Sequence, residues 1–580
     1  MNICICGGGH LGHVSAGYLS TRGKATVDVL TRRPERWGKT LIINTPEGNE
    51  LNADLHCVTS DPREVVGNAD LVLLCLPGMS IAPVLSQIKD HLRPGTPVGS
   101  IVSNTGFFFE AKRLLSPAQP LFGFQRVPFI ARTTDYGHRA RLLGYKPELA
   151  VAIEQTDDKN ALKETLSQLF NTPVRLLESY FEASLSNSNP LLHPARLYEL
   201  WSCWTPGIVY PRRALFYEEW GVKAAQTYIE MDGELQCLLR CLGVNEKSVP
   251  DVLTYYESTD APSLAEKLRS IEAFKGIEAP MKATTGGWMP DLDSRYFTED
   301  IPYGLATIRR LAHEHGVACP TIDRIYAWGE GLICHRHHQL RMLDILTEVD
   351  KVCRRHDIRY WLSSGTLIGA LRHGGFIPWD DDLDIEMMRA DYLRLLPLLE
   401  QELPDWLALQ THATDPNYCF FYAKIRDKRS FIEEENHYDS AFKERGIYID
   451  IFPLEAQRKW VHLLSEHTFG HAYKWWKRGQ LSRVRILYKV NEGLIYPLLR
   501  LINRWTHARV ITSGLGIPFH NPRYKEEIFP LSEHEFEGRS FPVPGMADSH
   551  LRHIYGDYMK LPDPKTVSLH LSTIKFNDKS

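Results

Sequence analysis

The stretch from Gly375 to Met387, GFIPWDDDLDIEM, places four aspartates and one glutamate within seven residues. The proline and the glycine pair around its start are poor helix formers, whereas D-L-D-I-E alternates carboxylates with apolar residues, which predicts the start of a β-strand. Because alternate strand residues face the same way, Asp380, Asp382 and Asp384 are predicted to share one face. Asp381 would then point to the other face. Carboxylate oxygens on one face suit Mg²⁺, so the stretch predicts a metal site.

A second chemical signal lies near the start of the chain. Gly7, Gly9 and Gly12 follow the apolar run NICIC and open a helical stretch. Glycines at this spacing permit a tight turn and let a pyrophosphate approach the N-terminus of the helix. The pattern therefore predicts dinucleotide binding.

The residues after the second apolar run, TVDVL, bear on the choice of dinucleotide. NAD sites usually place Asp or Glu here to bind the ribose hydroxyls, but this chain has Thr31, Arg32 and Arg33. Two guanidinium groups without an acid favour the 2′-phosphate of NADP(H), with NAD(H) as the alternative cofactor. The competing interpretation is that both arginines only face solvent.

Composition sets limits on the partners. A formal charge of −4 and a pI near 6.7 give no overall attraction to nucleic acid, so none is expected as a partner. Eleven cysteines without C-x-x-C pairs indicate reduced thiols and a cytoplasmic protein. MNICICGGGHLG lacks the basic region of a signal peptide, and no apolar run reaches the roughly 18 residues that a membrane span needs.

The pattern of apolar residues predicts an α/β and α+β multidomain protein. Short Val-, Ile- and Leu-rich runs alternate with helical stretches up to about residue 165, which indicates a parallel sheet of the Rossmann type. Longer amphipathic helices such as PSLAEKLRSIEAF follow. The segment LICHRHH (332–338) does not match zinc-ligand spacing and is interpreted as a linker or helix start. The predicted domains are a Rossmann domain at 1–165, a helical domain at 166–332 and a third domain at 333–580.

Three further segments carry a family resemblance over roughly the first 330 residues. They are FGFQRVPFIAR with LLGYKPELAVA, NPLLHP, and SRYFTEDIPYGL. With the glycine pattern, they resemble the octopine/nopaline (opine) dehydrogenase family, which joins an α-keto acid to an amine and reduces the imine with NAD(P)H. The resemblance implies that His193 is catalytic, that Asp300 is its carboxylate partner, and that Arg295 and Asn189 bind substrate. Without it, His193 reads equally well as a loop residue and Asp300 as a helix N-cap.

Residues 335 to 565 carry a second resemblance. SSGTLIGALRHGGFIPWDDDLDI, YAKIRD, GIYIDIFPLE and YGDYMKLP occur in this order. They resemble the LicD family, phosphotransferases with a nucleotidyltransferase-type fold that put phosphocholine and related groups on glycans. The resemblance implies that Asp380, Asp382, Asp384 and Asp450 are catalytic. It also implies that Asp382, Asp384 and Asp450 bind Mg²⁺. It further implies that the Ser364-Gly365-Thr366 loop, Lys424 and Arg426 bind phosphate.

The two resemblances together predict a bifunctional enzyme. The first half would condense a pyruvate-like keto acid with a small amine, and the second would transfer a phospho-linked group from a CDP-activated donor to a glycan or glycolipid hydroxyl. A donor such as CDP-ethanolamine suits both halves. Three alternatives stay open: unrelated substrates for the two halves, a nucleotide-binding sensor in the first half, and nucleotidyl transfer in the second.

One segment is strongly basic. Between Arg458 and Arg509 eleven Lys or Arg residues face two Glu, interleaved with tryptophans and leucines. An amphipathic helical insertion would explain this composition. The alternative is a peripheral contact with an anionic membrane or acceptor.

Overall fold

The structure is a computed structural model, and it describes residues 1–103, 106–434, 438–518, 521–561 and 571–576. Its α-helices are α1 (His10–Thr21), α2 (Pro62–Val65), α3 (Gly78–Ile88), α4 (Phe107–Leu114), α5 (Lys159–Phe170), α6 (Tyr180–Leu185), α7 (Asn189–Trp201), α8 (Val222–Cys241), α9 (Val252–Tyr255), α10 (Ala261–Ser270), α11 (Arg295–Thr298), α12 (Ala306–Glu314), α13 (Pro320–Arg355), α14 (Ser364–His373), α15 (Arg389–Glu402), α16 (Lys459–Lys477), α17 (Leu481–Val490), α18 (Tyr496–Trp505), α19 (Lys525–Ile528) and α20 (Ala547–Tyr555). Two π-helical segments, Asp300–Leu305 and Asn491–Ile495, run directly into α12 and α18.

The strands are β1 (Asn2–Cys6), β2 (Thr26–Leu30), β3 (Thr40–Asn44), β4 (Glu50–Asp54), β5 (Cys57–Thr59), β6 (Leu71–Leu74), β7 (Val98–Ser100), β8 (Leu121–Phe124), β9 (Phe129–Asp135), β10 (Arg139–Tyr145), β11 (Leu149–Glu154), β12 (Val174–Leu176), β13 (Met281–Thr284), β14 (Gly287–Pro290), β15 (Trp361–Leu362), β16 (Asp384–Met388), β17 (Leu407–Gln410), β18 (Ala423–Asp427), β19 (Ser430–Glu434), β20 (Tyr448–Ala456), β21 (Ile511–Ser513), β22 (Ser532–Phe536), β23 (Arg539–Val543) and β24 (Leu571–Phe576).

The first unit is built on an eight-stranded sheet in the order β12-β11-β8-β7-β6-β1-β2-β5. The predicted parallel arrangement is confirmed, since β1 pairs in parallel with both β2 and β6. Alternate residues of β1 enter separate cores: Ile3 and Ile5 pack on the side of α1, and Cys4 and Cys6 on the side of α3. Apolar side chains on both faces explain why the run NICIC carries no polar alternation.

The predicted domain boundary at residue 165 is wrong. It cuts through α5, which packs its Leu166 and Phe170 into the core of the first sheet. The following β12 pairs in parallel with β11 and so completes that sheet. The first unit therefore continues to about β12. The second unit is mainly helical, as predicted, and holds α6 to α12 with the β13-β14 hairpin around one apolar core.

The interpretation of residues 332–338 as a linker or helix start is wrong. The segment 332–338 lies in the middle of α13, a single helix of 36 residues. Ile325 and Ile333 of this helix belong to the core of the second unit, whereas Met342 and Leu346 belong to the core of the third. The apolar side chains of one continuous helix are thus shared between two cores, and a polar stretch separates them.

The third unit is a six-stranded sheet in the order β15-β16-β20-β18-β17, with β21 paired to β20. β16 runs parallel to β20, with Asp384 opposite Asp450, and β18 runs antiparallel to β20, with Lys424 opposite Asp450. Three neighbouring strands therefore bring two carboxylates and one ammonium group to the same level of the sheet. Among the described residues, no helix is both long enough and apolar enough to cross a membrane.

Arg336 of α13 links the second and third units. Its guanidinium group lies 2.8 Å from Asp293 Oδ2 and 2.7 Å from Glu537 Oε2. Burial alone would raise the pKa of Glu537, but its hydrogen bonds and charge interaction with Arg336 outweigh this and keep the pKa below its usual value. The same balance lowers the pKa of Asp293. The arginine is buried, so loss of its charge leaves two acids without compensation.

We expect Arg336→Met to lower the free energy of unfolding by about 3 kcal/mol, because removing one partner of a buried ion pair is strongly destabilising. Arg310→Met is the matched control, since Arg310 pairs with Glu314 on the surface, where both side chains are about half exposed, and it should change stability little. The contribution of Arg336 should be present above pH about 4 and be lost as the pH falls through the lowered pKa of Glu537. Thermal unfolding of both variants across pH measures this. Equal midpoints for the two variants would contradict the assignment.

Candidate active sites

The glycine loop after β1 has the shape that a dinucleotide requires. Gly7 has φ of 124°, and a Cβ on it would lie 2.5 Å from the Cys75 carbonyl oxygen. A Cβ on Gly12 would overlap the Gly7 carbonyl. Gly9, by contrast, has open space beside it at the N-terminus of α1. Gly7 and Gly12 therefore close the turn, and Gly9 leaves room for a pyrophosphate.

The residues predicted to choose the cofactor lie at the end of β2. Thr31 is buried and its side-chain oxygen lies beside Gly8, whereas Arg32 and Arg33 are exposed. Within the described part of the chain, neither arginine takes part in an ion pair. Both guanidinium groups remain available to a phosphate.

His193 and Asp300 come together as predicted. Nδ1 of His193, on α7, lies 2.7 Å from Oδ2 of Asp300, the first residue of the π-helical segment before α12. Both side chains are buried. A carboxylate at Nδ1 fixes the imidazole orientation and leaves Nε2 to act on other groups.

Two tyrosines complete the surroundings of His193, and neither was predicted from the sequence to be part of the site. The Tyr217 hydroxyl donates to His193 Nε2 over 2.9 Å, and the Tyr296 ring stacks on the imidazole with 4.1 Å between ring centres. Burial, helped by the neighbouring Tyr296, raises the pKa of Tyr217 well above its usual value, so its hydroxyl stays protonated. No spacing rule relates Tyr217 to His193, because the two meet only through the packing of a loop on α7.

The other predicted substrate residues are near this group but are not in it. Arg295 is exposed at the start of α11, next to Tyr296. Asn189 is the first residue of α7, and its backbone N–H donates to the Asn187 side chain. Their roles in substrate binding stay predictions.

Glu299 connects the helical unit to the dinucleotide unit. Its Oε1 accepts a hydrogen bond of 2.8 Å from the backbone N–H of Gly78, at the N-terminus of α3. Burial raises the pKa of Glu299. A Cβ on Gly78 would lie 2.7 Å from the Tyr303 side chain, so glycine is needed for this close approach. The link places the His193 group next to the strand ends that carry the glycine loop.

Four aspartates converge in the third unit, but the predicted strand alternation is wrong for the first two of them. β16 begins only at Asp384, and residues 380–383 form an irregular loop after a turn at Pro378 and Trp379. Burial and the negative charges of Asp382 and Asp450 raise the pKa of Asp384. Burial likewise raises the pKa of Asp380, Asp382 and Asp450. Burial is the largest cause in each case, and neighbouring carboxylates add to it at Asp380, Asp382 and Asp384.

Side chains of α13 hold most of that loop, whose last residue, Leu383, accepts the backbone N–H of Asp450 on β20 at 2.8 Å. His338 Nε2 donates to the Asp381 carbonyl over 2.9 Å, and His335 Nε2 donates to the Pro378 carbonyl over 3.0 Å. Gln339 Nε2 donates to the carbonyls of Ile377 and Asp380, at 3.2 and 3.1 Å. Burial lowers the pKa of His338 to about 4, so the ring is neutral and needs no counter-charge. The histidine-rich segment therefore positions the carboxylates.

The predicted phosphate ligand Lys424 is engaged with Asp450. Its Nζ lies 2.7 Å from Asp450 Oδ1 and 3.3 Å from the centre of the Tyr448 ring. It supplies the partial neutralisation that a buried acid between isoleucines requires. A phosphate near Lys424 would share it with Asp450.

The prediction that Arg426 binds phosphate is wrong for this structure. Arg426 is fully buried, and its guanidinium donates to Gln410 and to the Gly446 carbonyl, both at 2.9 Å. It also lies over the Tyr448 ring, with 4.3 Å from Cζ to the ring centre. Both faces of this central strand are covered, so its side chains are buried.

The Ser364-Gly365-Thr366 loop forms the first turn of α14. Ser364 has φ of 50°, a left-handed conformation that costs energy for a non-glycine residue and often marks functional sites. A Cβ on Gly365 would lie 2.5 Å from Asp380 Oδ2, so glycine admits that carboxylate to the helix start. Thr366 was predicted to bind phosphate, but it is buried. Its hydroxyl accepts the Asp384 N–H at 2.9 Å, which connects α14 to β16.

The donor set fits a divalent cation. The four aspartates offer oxygen ligands, and Lys424 lies beside Asp450. Mg²⁺ would neutralise the remaining negative charge of the carboxylates. The carboxylates are not yet a compact ligand set: among the described residues, the group whose ligand atoms all lie within 4.8 Å of one another is His313, Cys319 and Asp323. Asp382, Asp384 and Asp450 would hold the ion after small side-chain movements.

Three family models match separate parts of the chain. Residues 3–104 match the family model for ketopantoate reductase PanE/ApbA. Residues 176–333 match NAD/NADP octopine/nopaline dehydrogenase, alpha-helical domain. Residues 357–481 match LicD/FKTN/FKRP, nucleotidyltransferase domain.

Individual relatives cover each half almost completely. Octopine dehydrogenase of Pecten maximus is 27% identical over 358 residues, which cover 57% of this chain and 90% of the relative. Lipopolysaccharide cholinephosphotransferase LicD of Haemophilus influenzae is 32% identical over 257 residues, which cover 40% of this chain and 95% of the relative.

A solved structure supports the fold of the first half. Octopine dehydrogenase with NADH and L-arginine superposes with a TM-score of 0.53 at 27% identity, over 57% of this chain and 89% of the other. With the Rossmann sheet, the His193–Asp300 pair and the aspartate group in place, the chain is a fusion of an octopine/nopaline dehydrogenase family protein with a member of the LicD family.

Proposed function

We propose that the first half is an opine dehydrogenase that condenses an α-keto acid with an amine and reduces the imine. The buried His193–Asp300 pair, 2.7 Å apart, carries this proposal. When bound, NAD(P)H supplies the hydride. A protonated His193, stabilised by Asp300, polarises the carbonyl and donates the proton that leaves with water. Arg295 would bind the keto-acid carboxylate through paired N–H groups.

Tyr217 extends this proton path. Its hydroxyl donates to the same nitrogen, Nε2, that would act on substrate. Because burial raises its pKa, the Tyr217 hydroxyl stays protonated and donates to Nε2 of the neutral imidazole. When substrates replace this contact, Nε2 takes a proton from the ammonium group of the amine, and His193 then gives that proton to the oxygen that leaves as water. Tyr296 covers the ring face and excludes water.

We propose that the second half is a Mg²⁺-dependent phosphotransferase that uses a CDP-activated donor and a glycan or glycolipid hydroxyl. The aspartate group with raised pKa values carries this proposal, because it needs added positive charge. Mg²⁺ would neutralise the donor pyrophosphate. Asp380 lies at the start of α14, beside the loop that would hold a phosphate.

A shared compound would explain the fusion. CDP-ethanolamine has a free amine for the first half and a nucleotide diphosphate for the second. A cavity of about 340 Å³ lies between the halves, lined by Trp204 and Lys282 of one and by His373 and Pro378 of the other. Trp204 follows the helix of His193, and Pro378 precedes the aspartates, so the cavity borders both segments. This supports an ordered use of the two sites.

The acceptor is proposed to be carried at a membrane, with the protein cytoplasmic and peripheral to the inner face through the segment Arg458–Arg509. The LicD relative is named for lipopolysaccharide as its substrate, and lipopolysaccharide is membrane-bound.

The whole proposal is tested by incubating the protein with NADPH, pyruvate and a panel of amines and CDP-amines. Nicotinamide absorbance and product mass are followed together. Oxidation of NADPH with free amines only would separate the substrates of the two halves.

NADPH should be preferred over NADH, because the exposed Arg32 and Arg33 follow β2, where NAD sites usually have an acid. Arg32→Ala should reduce the preference in kcat/KM by about tenfold, the value of a charge-assisted contact. Arg141→Ala, an exposed arginine on β10, is the control and should keep it. Equal or better kcat/KM with NADH in the unaltered protein would exclude the proposed preference.

His193→Ala should lower the rate of reductive condensation by about 10²- to 10⁴-fold, because the proton donor is lost. Tyr217→Phe should have a smaller effect. Phosphotransfer from a supplied CDP donor should be unchanged, since His193 and the aspartates lie in separate cores. Loss of both activities in a folded protein would argue against two chemically independent sites.

Asp382→Asn and Asp384→Asn should each lower CMP release by about a hundredfold or more, because metal stabilisation of phosphoryl charge is a large catalytic contribution. Folding should survive, since repulsion within the carboxylate group is relieved. Asp405→Asn, at an exposed acid of the same unit, is the control and should retain activity; Asp381 is unsuitable as a control because it is buried in the same loop. CMP release is measured with Mg²⁺ or EDTA. Indifference to EDTA would refute the metal site, and NADPH oxidation should stay constant throughout.

A further inference from the structure

A continuous apolar stripe runs along the outside of α17, the following π-helical segment and α18. It is formed by large side chains that are between 41% and 83% exposed: Ile486, Val490, Leu494, Leu498, Leu501 and Trp505. Their spacing of four, four, four, three and four residues keeps them on one side of the helix. At 1.5 Å per residue the stripe is about 30 Å long.

The opposite side of the same helix is also apolar and already has partners. Val484, Tyr496 and Leu499 are buried, and Tyr496 and Leu499 pack with Val461 and Phe469 of α16. A surface helix of a globular protein normally has one apolar face and a polar one. The second apolar face of this helix therefore has no role in the fold, and its size marks an interaction surface.

The stripe continues past the end of α18 into a cleft. Trp460 and Leu463 of α16, about half exposed, line it together with His507, Arg509 and Val510. A second depression beside it is lined by Arg500, Arg504 and Arg509, among others. Apolar side chains of two elements thus meet at a basic rim.

The exposed charges along the stripe are basic, and the one acid of these helices, Glu492, is partly buried and lies 3.8 Å from Arg500. Arg483, Lys489, Arg504 and Arg509 are exposed, and within the described part of the chain none of them forms an ion pair. Arg500, the exception on the inner side, is paired with Glu455 at 3.0 Å. Uncompensated basic groups beside an apolar stripe fit a surface that is apolar inside and anionic outside.

We propose that the face formed by this stripe, the cleft and their basic rim binds an anionic phospholipid membrane, with the helix lying in the plane of the headgroups. The six apolar side chains enter the acyl boundary, and the arginines and lysine contact lipid phosphates. The inference specifies the peripheral contact proposed above, and it depends on neither enzymatic activity.

Binding of the full chain to vesicles tests this directly. The protein should float with phosphatidylcholine vesicles that contain phosphatidylglycerol, and binding should weaken with pure phosphatidylcholine or at high salt. The double variant Leu498→Asp, Leu501→Asp should lose at least about tenfold in affinity, because two apolar side chains no longer enter the lipid. Arg504→Gln should weaken binding to the anionic vesicles only.

Leu393→Asp is the control, because Leu393 on α15 is an exposed leucine outside this face, and it should bind like the unaltered protein. All variants should keep NADPH oxidation and CMP release from soluble substrates. Vesicle binding unaffected by the double variant would overturn the proposal. So would a concentration-dependent dimer that the double variant abolishes without any vesicle binding, since a second copy would then cover the stripe. If the unaltered protein binds vesicles but shows neither enzymatic activity, the membrane proposal stands and the proposed reactions are wrong.

Discussion

The whole molecule depends on the hydrogen bonds that one shared helix makes to the loop before β16. A loop with three consecutive aspartates cannot pair with a strand without burying charge, so its backbone carbonyls need other donors. His335, His338 and Gln339 of α13 supply them. Between these residues Arg336 joins an acid of the second unit to an acid of the third. The same two turns of helix thus hold the carboxylates and the unit interface.

The charge within the aspartate group explains several neighbouring features. Asp384 and Asp450 lie opposite each other because β16 and β20 are parallel and in register. Lys424 offsets one charge, and the raised pKa values show that this is not enough. Gly365 and the left-handed Ser364 let the start of α14 approach Asp380, where helix N–H groups favour an anion. The fold therefore brings the carboxylates and the start of α14 together at the place where the proposed cation and phosphate would bind.

The sequence predicted those parts that local patterns determine. The glycine loop and its parallel strands follow from glycine spacing and apolar runs, and the pairing of His193 with Asp300 followed from a family resemblance. The errors have a common cause, which is tertiary contact. Arg426 is buried because both faces of β18 are covered, and residues 332–338 continue a helix because their polar side chains bind the aspartate loop. Tyr217 was missed because only loop packing brings it to His193.

The two proposed active sites can work independently even though the third unit depends structurally on the helix that it shares with the second. His193 lies in a core to which the second half of α13 does not contribute, so its substitution leaves the aspartate loop untouched. Cutting the chain between the halves should have a larger effect than substituting His193. A cut after residue 333 would divide α13 and leave His335, His338 and Gln339 on a frayed helix end, where hydrogen bonds to the loop carbonyls are weakest. The third unit therefore needs the helical unit as a support for its site even where it needs none of its chemistry. Fusion of the two families is therefore reflected in the geometry of the transferase site, because one helix belongs to both units.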